Sequence, residues 1–356
     1  MATPDMDTLG EKPLDDFIRG LPKAELHLHL EGTIEPATLV ELSECVDAAS
    51  GARPITLAEA EALYEYKDFS GFLLAFKAVT ARLRGPAEYE LAAWRMIEKL
   101  AAQGVRHAEV YISVGVIYYW RKEEDAADPL LFQKIFAGLE RARERGEREL
   151  GLTLYWIFDA VRHFSVEEAR RVFRMAAEMR GQYPSIIGIG LGGDERVAAS
   201  EPFRELYSEA TRAGLRLTNH AGETTGPEAI WEALSIGSER LGHALSAIRD
   251  GALMEELKRR RIPLELNPSS NCRTGVCTAL TDHPVRAYFD AGLMVTLNSD
   301  DPAFFGSTIE NEYRLMAHEH GFNREELKQL AEQSFEASFL PEEQKQTWVA
   351  KVRAFD

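Results

Sequence analysis

Glu25-Leu26-His27-Leu28-His29 sets two imidazoles two residues apart in an apolar run, and side chains two apart on a β-strand project from the same face. That is metal-ligand geometry. Further along come His220-Ala221-Gly222-Glu223, Gly242-His243 and Ser299-Asp300-Asp301-Pro302. His27, His29, His220 and Asp300 supply three imidazoles and a carboxylate, a donor set that suits Zn²⁺ and leaves a position for water, so one Zn²⁺ in an open hydrolytic site is predicted. Glu223, three residues beyond His220, can share the same strand exit as a general acid whose pKa burial would raise. His243 is read as an orienter or base for a water that the metal acidifies. Asp300 and Asp301 adjoin, so one can bind metal while the other meets substrate.

The other histidines serve as controls. His318-Glu319-His320 repeats the spacing in a helix-like stretch, where i and i+2 do not face each other, and is expected to be a solvated helix end near Gly321. His107 and His163 sit among polar or turn residues with no partner in view and are read as non-functional; His283 precedes Pro284 near a loop. Cys45, Cys272 and Cys277 are odd in number and at no zinc-ribbon spacing, so isolated buried or half-buried thiols are expected.

Elements able to gather these residues are visible as eight strand-like runs. The first carries His27 and His29; the others are 105–113, 152–158, 186–191, 215–219, 240–244, 263–267 and 294–298. Helix-like segments lie between most of them, such as 165–180 opening with a Ser-Val-Glu-Glu capping pattern and 202–213 closing on Gly214, with 308–320 and 323–338 near the C-terminus. Strand alternating with helix eight times predicts an α/β fold, a (β/α)₈ TIM barrel occupying residues 1–356 as one domain, with its site at the C-terminal strand ends. The gap of about 75 residues after the first strand exceeds an ordinary crossover and is expected to be a helical insertion walling the site. It opens at Thr33-Ile34-Glu35-Pro36, and its stripe of Phe69, Phe72, Leu73 and Phe76 is read as packing rather than ligand contact.

The 356 residues carry a net charge of −17, so nucleic acid and anionic membranes are poor partners. No apolar run of about 18 residues occurs, and the acidic N-terminal stretch from Met1 to Asp16 lacks the apolar core of a leader, which points to the cytoplasm. A homo-oligomer is open, with no interface visible.

With those motifs in view, a resemblance enters. Residues 22–32 (Pro-Lys-Ala-Glu-Leu-His-Leu-His-Leu-Glu-Gly), His220-Ala221-Gly222-Glu223, Gly242-His243, Asn267-Pro268-Ser269-Ser270-Asn271 and Asn298-Ser299-Asp300-Asp301-Pro302 resemble, in order, the adenosine and adenine deaminases of the amidohydrolase superfamily. The resemblance implies that His27, His29, His220 and Asp300 bind the zinc that activates water, and that Glu223 protonates the purine nitrogen beside the attacked carbon. It further implies that His243 assists the water, that Asp301 contacts N7, and that the backbone at Gly193 contacts N3. A small purine substrate would lose ammonia from C6.

Departures bear on the substrate. Glu31 stands where nucleoside-specific relatives carry an Asp for the ribose 5′-hydroxyl and looks more like adenine deaminases, whereas Ser270-Asn271-Cys272-Arg273-Thr274-Gly275 resembles the nucleoside type. The family's Cys before Pro is Asn267, its Asp-Leu-Ala-Gly-Asp-Glu is Gly190-Leu191-Gly192-Gly193-Asp194-Glu195, and its Glu-Val-Arg is Glu109-Val110-Tyr111. A 6-aminopurine nucleoside without a free 5′-hydroxyl reconciles these signals, as in the branch that deaminates 6-amino-6-deoxyfutalosine in menaquinone synthesis; Arg273 would pair with that substrate's carboxylate. Adenosine, adenine and a different amidohydrolase chemistry on the same barrel stay open. A two-metal hydrolase is disfavoured because the fourth run, 186–191, has no Lys, and a non-catalytic barrel because no site residue is missing. The Pro-Cys-x-x-Cys of base-flipping deaminases is absent.

Overall fold

The computed structural model describes residues 12–49, 51–66, 69–120, 128 and 130–356. Most of the acidic N-terminal stretch, and the side chains of Phe69 and Leu73, lie outside the described residues. Eight strands form one parallel sheet in chain order: β1 (Lys23–His29), β2 (Val105–Ile112), β3 (Thr153–Val161), β4 (Ile186–Gly192), β5 (Arg216–Ala221), β6 (Arg240–His243), β7 (Leu264–Leu266) and β8 (Val295–Leu297). A parallel bridge between Leu28 and Asp300 brings the last strand's exit back to β1 and closes the barrel.

The eight expected strands are all present, and the helices between them start where the capping residues placed them. Ser165 accepts from Glu168 N–H ahead of the helix Val166–Arg180, and Asn323 forms a reciprocal cap with Glu326 ahead of Arg324–Ala337. Strands covered by helices outside and by one another inside are buried on both faces, which is why they read as continuous rather than alternating apolar runs. Their few polar residues, including Glu25, His27, Glu109, Asp159, His220, Arg240 and Glu265, are therefore buried too. Each then needs a partner or a ligand.

The insertion between β1 and β2 is helical, with helices Pro36–Ala49, Leu57–Leu63, Phe69–Thr80 and Pro86–Ala102. Its third helix does not stand free. Phe72 and Phe76 each lie with ring centroids 5.5 Å from Phe304, and Tyr66 Oη donates to Phe304 O at 2.6 Å. Phe304 belongs to the short helix Pro302–Phe305 that follows Asp301, so the insertion is anchored directly to the residues leaving the site. Among the described residues no helix is long and apolar enough to cross a membrane.

Candidate metal centre

The backbone that closes the barrel also gathers the ligands. Asp300 N–H donates to His27 O at 3.1 Å and His29 N–H donates to Asp300 O at 3.0 Å, which wedges Asp300 between the two β1 histidines. Asp300 adopts a left-handed conformation, φ 65°, as does His243 at φ 63°. A non-glycine residue there costs on the order of 1–2 kcal/mol, and these backbone bonds hold it in place. Asp300 Oδ1 lies 3.5 Å from His27 Nε2 and 3.4 Å from His29 Nε2, and His29 Nε2 lies 3.3 Å from His220 Nε2. All four expected ligands thus converge.

The donor chemistry fits a divalent cation. His27 Nε2 is buried without a hydrogen-bond partner, and the His29 and His220 nitrogens face each other, an arrangement that lone pairs tolerate when a cation sits between them. Behind His27, Nδ1–H donates to Glu265 Oε2 at 2.7 Å, and Tyr111 Oη donates to the same oxygen at 3.2 Å. A carboxylate in that place fixes the tautomer that leaves Nε2 free for metal. Glu265 is in turn bonded to the buried Arg240, which also meets Glu109 Oε2 at 2.5 Å. Burial opposes the Glu109 charge, but Arg240 and His107 hold its pKa down to about 2. Gly242 is required here because a Cβ on it would stand 2.6 Å from His27 Cε1.

Glu223 faces this cluster, with Oε2 3.8 Å from His243 Nε2, and His243 Nε2 lies 4.0 Å from Asp300 Oδ2. Burial, and then the charges of Asp300 and Glu195, push the Glu223 carboxyl up to about 8, which favours its protonated form. Glu195 also fixes the loop: Gly222 N–H and Glu223 N–H donate to its two oxygens at 2.9 and 3.0 Å. Arg162 ties the ends of β4 and β5 together, donating to Leu191 O at 3.3 Å, Asn219 Oδ1 at 2.9 Å and His220 O at 2.5 Å. Burial and the adjoining Asp300 charge hold Asp301 well above the carboxylate range, and its Oδ1 has no partner. Gly32 makes room for that oxygen, since a Cβ there would lie 2.0 Å from it.

The residues expected at the substrate are spread more widely. Both Glu31 oxygens are engaged by Ser113, from N–H at 3.2 Å and from Oγ at 3.1 Å, and burial raises its pKa to about 7. Gly193 has φ 90° beside His163 at the exit of β4. Arg273 is exposed at the end of the helix Pro268–Arg273, where it acts on the Tyr66 hydroxyl of the insertion.

Several readings of the sequence are corrected. His107 is not partnerless: it is buried between Thr153 Oγ1 at 2.9 Å and Glu109 Oε1 at 3.1 Å, because it faces into the sheet from β2. His163 Nδ1 accepts from Asp194 N–H at 3.2 Å. His318 is exposed as expected, but His320 is only half-exposed. Cys45 is exposed rather than buried, and the thiols of Cys272 and Cys277 interact with each other while remaining unbonded. Asp159, buried at the end of β3 with Oδ1 unpartnered, was missed altogether; Asn267, Asn271 and His283 were noted in the sequence without the role they take here, lined up behind His243.

The chain is 36% identical over 331 residues to aminodeoxyfutalosine deaminase of Streptomyces avermitilis, covering 92% of this chain and 89% of that one. It is 38% identical over 347 residues to adenine deaminase of Streptomyces coelicolor, covering 96% and 97%. An amidohydrolase crystallised with bound Zn from Burkhoderia ambifaria superposes with a TM-score of 0.84 at 24% identity, covering 97% of this chain and 94% of that one. The sequence model of the family described as Adenosine deaminase matches residues 22–355, and the chain belongs to that family of metal-dependent hydrolytic deaminases.

Proposed function

We propose that the chain is a zinc-dependent deaminase converting a 6-aminopurine nucleoside to its 6-oxo product and ammonia. The convergence of His27, His29, His220 and Asp300 opposite Glu223, whose carboxyl burial biases toward its protonated form, carries this reading. One Zn²⁺ held by those four residues would supply an activated water. The protein's own groups account for the rest. Glu223 gives its proton to the ring nitrogen next to C6 as water adds there, Asp301 meets N7, and the Gly193 backbone meets N3. The added water's two protons complete the balance: one passes to the amino group, which leaves as ammonia, and the other returns to the Glu223 carboxylate as the C6 oxygen becomes the carbonyl. His243 faces the carbon under attack. The substrate partner is a small molecule; nucleic acid and membranes play no part in this reading.

Among substrates, aminodeoxyfutalosine is favoured over adenosine by Glu31, whose two oxygens are engaged by Ser113 and so are poorly placed to select a free 5′-hydroxyl. Arg273 at the exposed rim beside Tyr66 is the cation that would meet a distal carboxylate. Adenine is the second reading, favoured by the 38% identical adenine deaminase. An ammonia-release screen over adenine, adenosine, 5′-modified adenosines and aminodeoxyfutalosine tests the choice. Arg273→Ala should lower kcat/KM for the carboxylated substrate by about 10- to 100-fold, an interfacial charge pair being worth roughly 1.5–3 kcal/mol, and leave adenosine nearly unchanged. Equal losses on both substrates would remove the role of Arg273.

A further inference from the structure

His243 Nδ1, the ring nitrogen turned away from the cluster, is approached by two side-chain amides, Asn271 Nδ2 at 3.0 Å and Asn267 Nδ2 at 3.2 Å. An imidazole nitrogen can donate or accept, and an amide can be turned either way, so these contacts alone leave the proton unplaced. The backbone places it. Val285 N–H can only donate, and it donates to His283 Nδ1 at 3.2 Å, which puts the His283 proton on Nε2. His283 Nε2–H then donates to Asn271 Oδ1 at 3.3 Å, which turns the Asn271 amino group toward His243. Independently, Asn267 Nδ2 also donates to the Glu265 carbonyl at 3.3 Å, an atom that can only accept. Both routes present a donor to His243 Nδ1.

We infer that Asn271, His283 and Asn267 are positioning residues that lock His243 as the Nε2–H tautomer, so that it presents a hydrogen-bond donor to the reacting centre and does not take a proton there. The two routes start from separate pieces of backbone, the helix Val285–Asp290 and β7, and agree. All four side chains are buried, so water does not compete for these bonds. The donor points into the space shared with Glu223 and Asp300, where negative charge develops on the oxygen joining C6. What His243 does for turnover rests on the deaminase reading; where its proton sits does not.

Neutron diffraction from crystals of the metal-loaded, deuterium-exchanged enzyme tests the second point directly. Deuterium on His243 Nε2 and none on Nδ1 is expected; deuterium on Nδ1 overturns the inference, whatever the substrate. Asn271→Asp tests the first point with nearly the same shape. Its carboxylate can only accept, so it pulls the proton to Nδ1 and away from the reacting centre. Exchanging amide and carboxylate behind a catalytic histidine has cost up to about 10⁴-fold in kcat in another hydrolase. Here a fall in kcat of at least about 100-fold is expected, with KM within about threefold and wild-type metal content. His283→Gln, which can still accept from Val285 and donate to Asn271, should retain most of kcat, whereas His283→Leu should not. Unchanged kcat in both Asn271→Asp and His283→Leu would overturn the positioning role.

Discussion

Asp159 on β3 occupies the space that a side chain at Gly190 on β4 would fill: a Cβ built on Gly190 lies 2.6 Å from Asp159 Oδ1 and 2.8 Å from Tyr111 Cε1. The family motif resembled by residues 190–195 begins with an aspartate, and here glycine stands in its place. Asp159 thus puts a carboxylate, from β3, into the space that an aspartate at position 190 would enter from β4. A Cβ built on the next inward glycine, Gly192, would stand 3.0 Å from Asp159 Oδ2 and 3.6 Å from His220 Nδ1, so Asp159 borders a metal-ligand candidate.

The exchange should be reversible as a pair. Gly190→Asp alone forces its side chain against Asp159 and against Tyr111, whose ring stacks 5.1 Å from His29. Overpacking of this kind costs about 1–3 kcal/mol. Adding Asp159→Gly should recover both stability and kcat/KM, giving a favourable coupling in a double-mutant cycle read by denaturant melts and ammonia release. Additive losses in the double variant would show that the two positions do not share one space.

Metal binding should depend on a residue that never touches the metal. Glu265→Gln keeps the shape behind His27 but weakens the bond that orients the ring, and such losses cost 10- to 100-fold in metal affinity. Competition against a graded chelator measures this. The same titration on wild type should abolish ammonia release, and added Zn²⁺ should restore it. Full turnover in the chelated protein would refute the hydrolytic centre itself.

Why some of this was legible and some was not follows from particular residues. His27 and His29 announced themselves because a two-residue spacing in an apolar run has one simple geometric meaning. Asp159 was missed because the third apolar run ends at Phe158, while the strand continues through polar Asp159 to Val161. Barrel strands end in the residues that serve the site, so apolarity stops one residue before function begins. His283 was seen only as a residue before a proline for another reason: its partner, Asn271, sits on the short helix Pro268–Arg273, and their meeting is set by packing that no local pattern encodes. The buried Arg240 bonded to Glu109 and Glu265 joins three separate strands, and only barrel closure reveals it.

Stability should carry a pH signature from Glu312. This residue is fully buried on the helix Ile309–Glu319, with Oε2 accepting from Ser269 N–H at 3.2 Å and Oε1 unpartnered. Burial raises its pKa to about 7. Because the folded value lies above the unfolded one near 4.5, the contribution is fully present below about pH 4.5 and is lost as pH rises through 7. Glu312→Gln is neutral at every pH, so the stability lost between pH 5 and 8 should shrink by on the order of 2–3 kcal/mol in denaturant melts. The same pH slope in both proteins would show that Glu312 ionises freely in the folded state.

Activity should fail on the alkaline side through Glu223. Burial first, then Asp300 and Glu195, raise its carboxyl to about 8, so the proton it must donate is present below that pH and lost above it. A cation bound beside Asp300 favours the carboxylate and moves this limb downward, never upward. The pH profile of kcat/KM should therefore fall at or below about pH 8. Glu223→Gln preserves the hydrogen-bonding shape but has no acidic proton; removing a general acid costs about 10²- to 10⁴-fold, and the alkaline limb should vanish with it. If the variant kept more than about a tenth of wild-type turnover, or kept the same limb, the proton would have to come from elsewhere. His243 could not easily take over, since burial pushes its pKa down to about 3 and leaves it neutral across the working range.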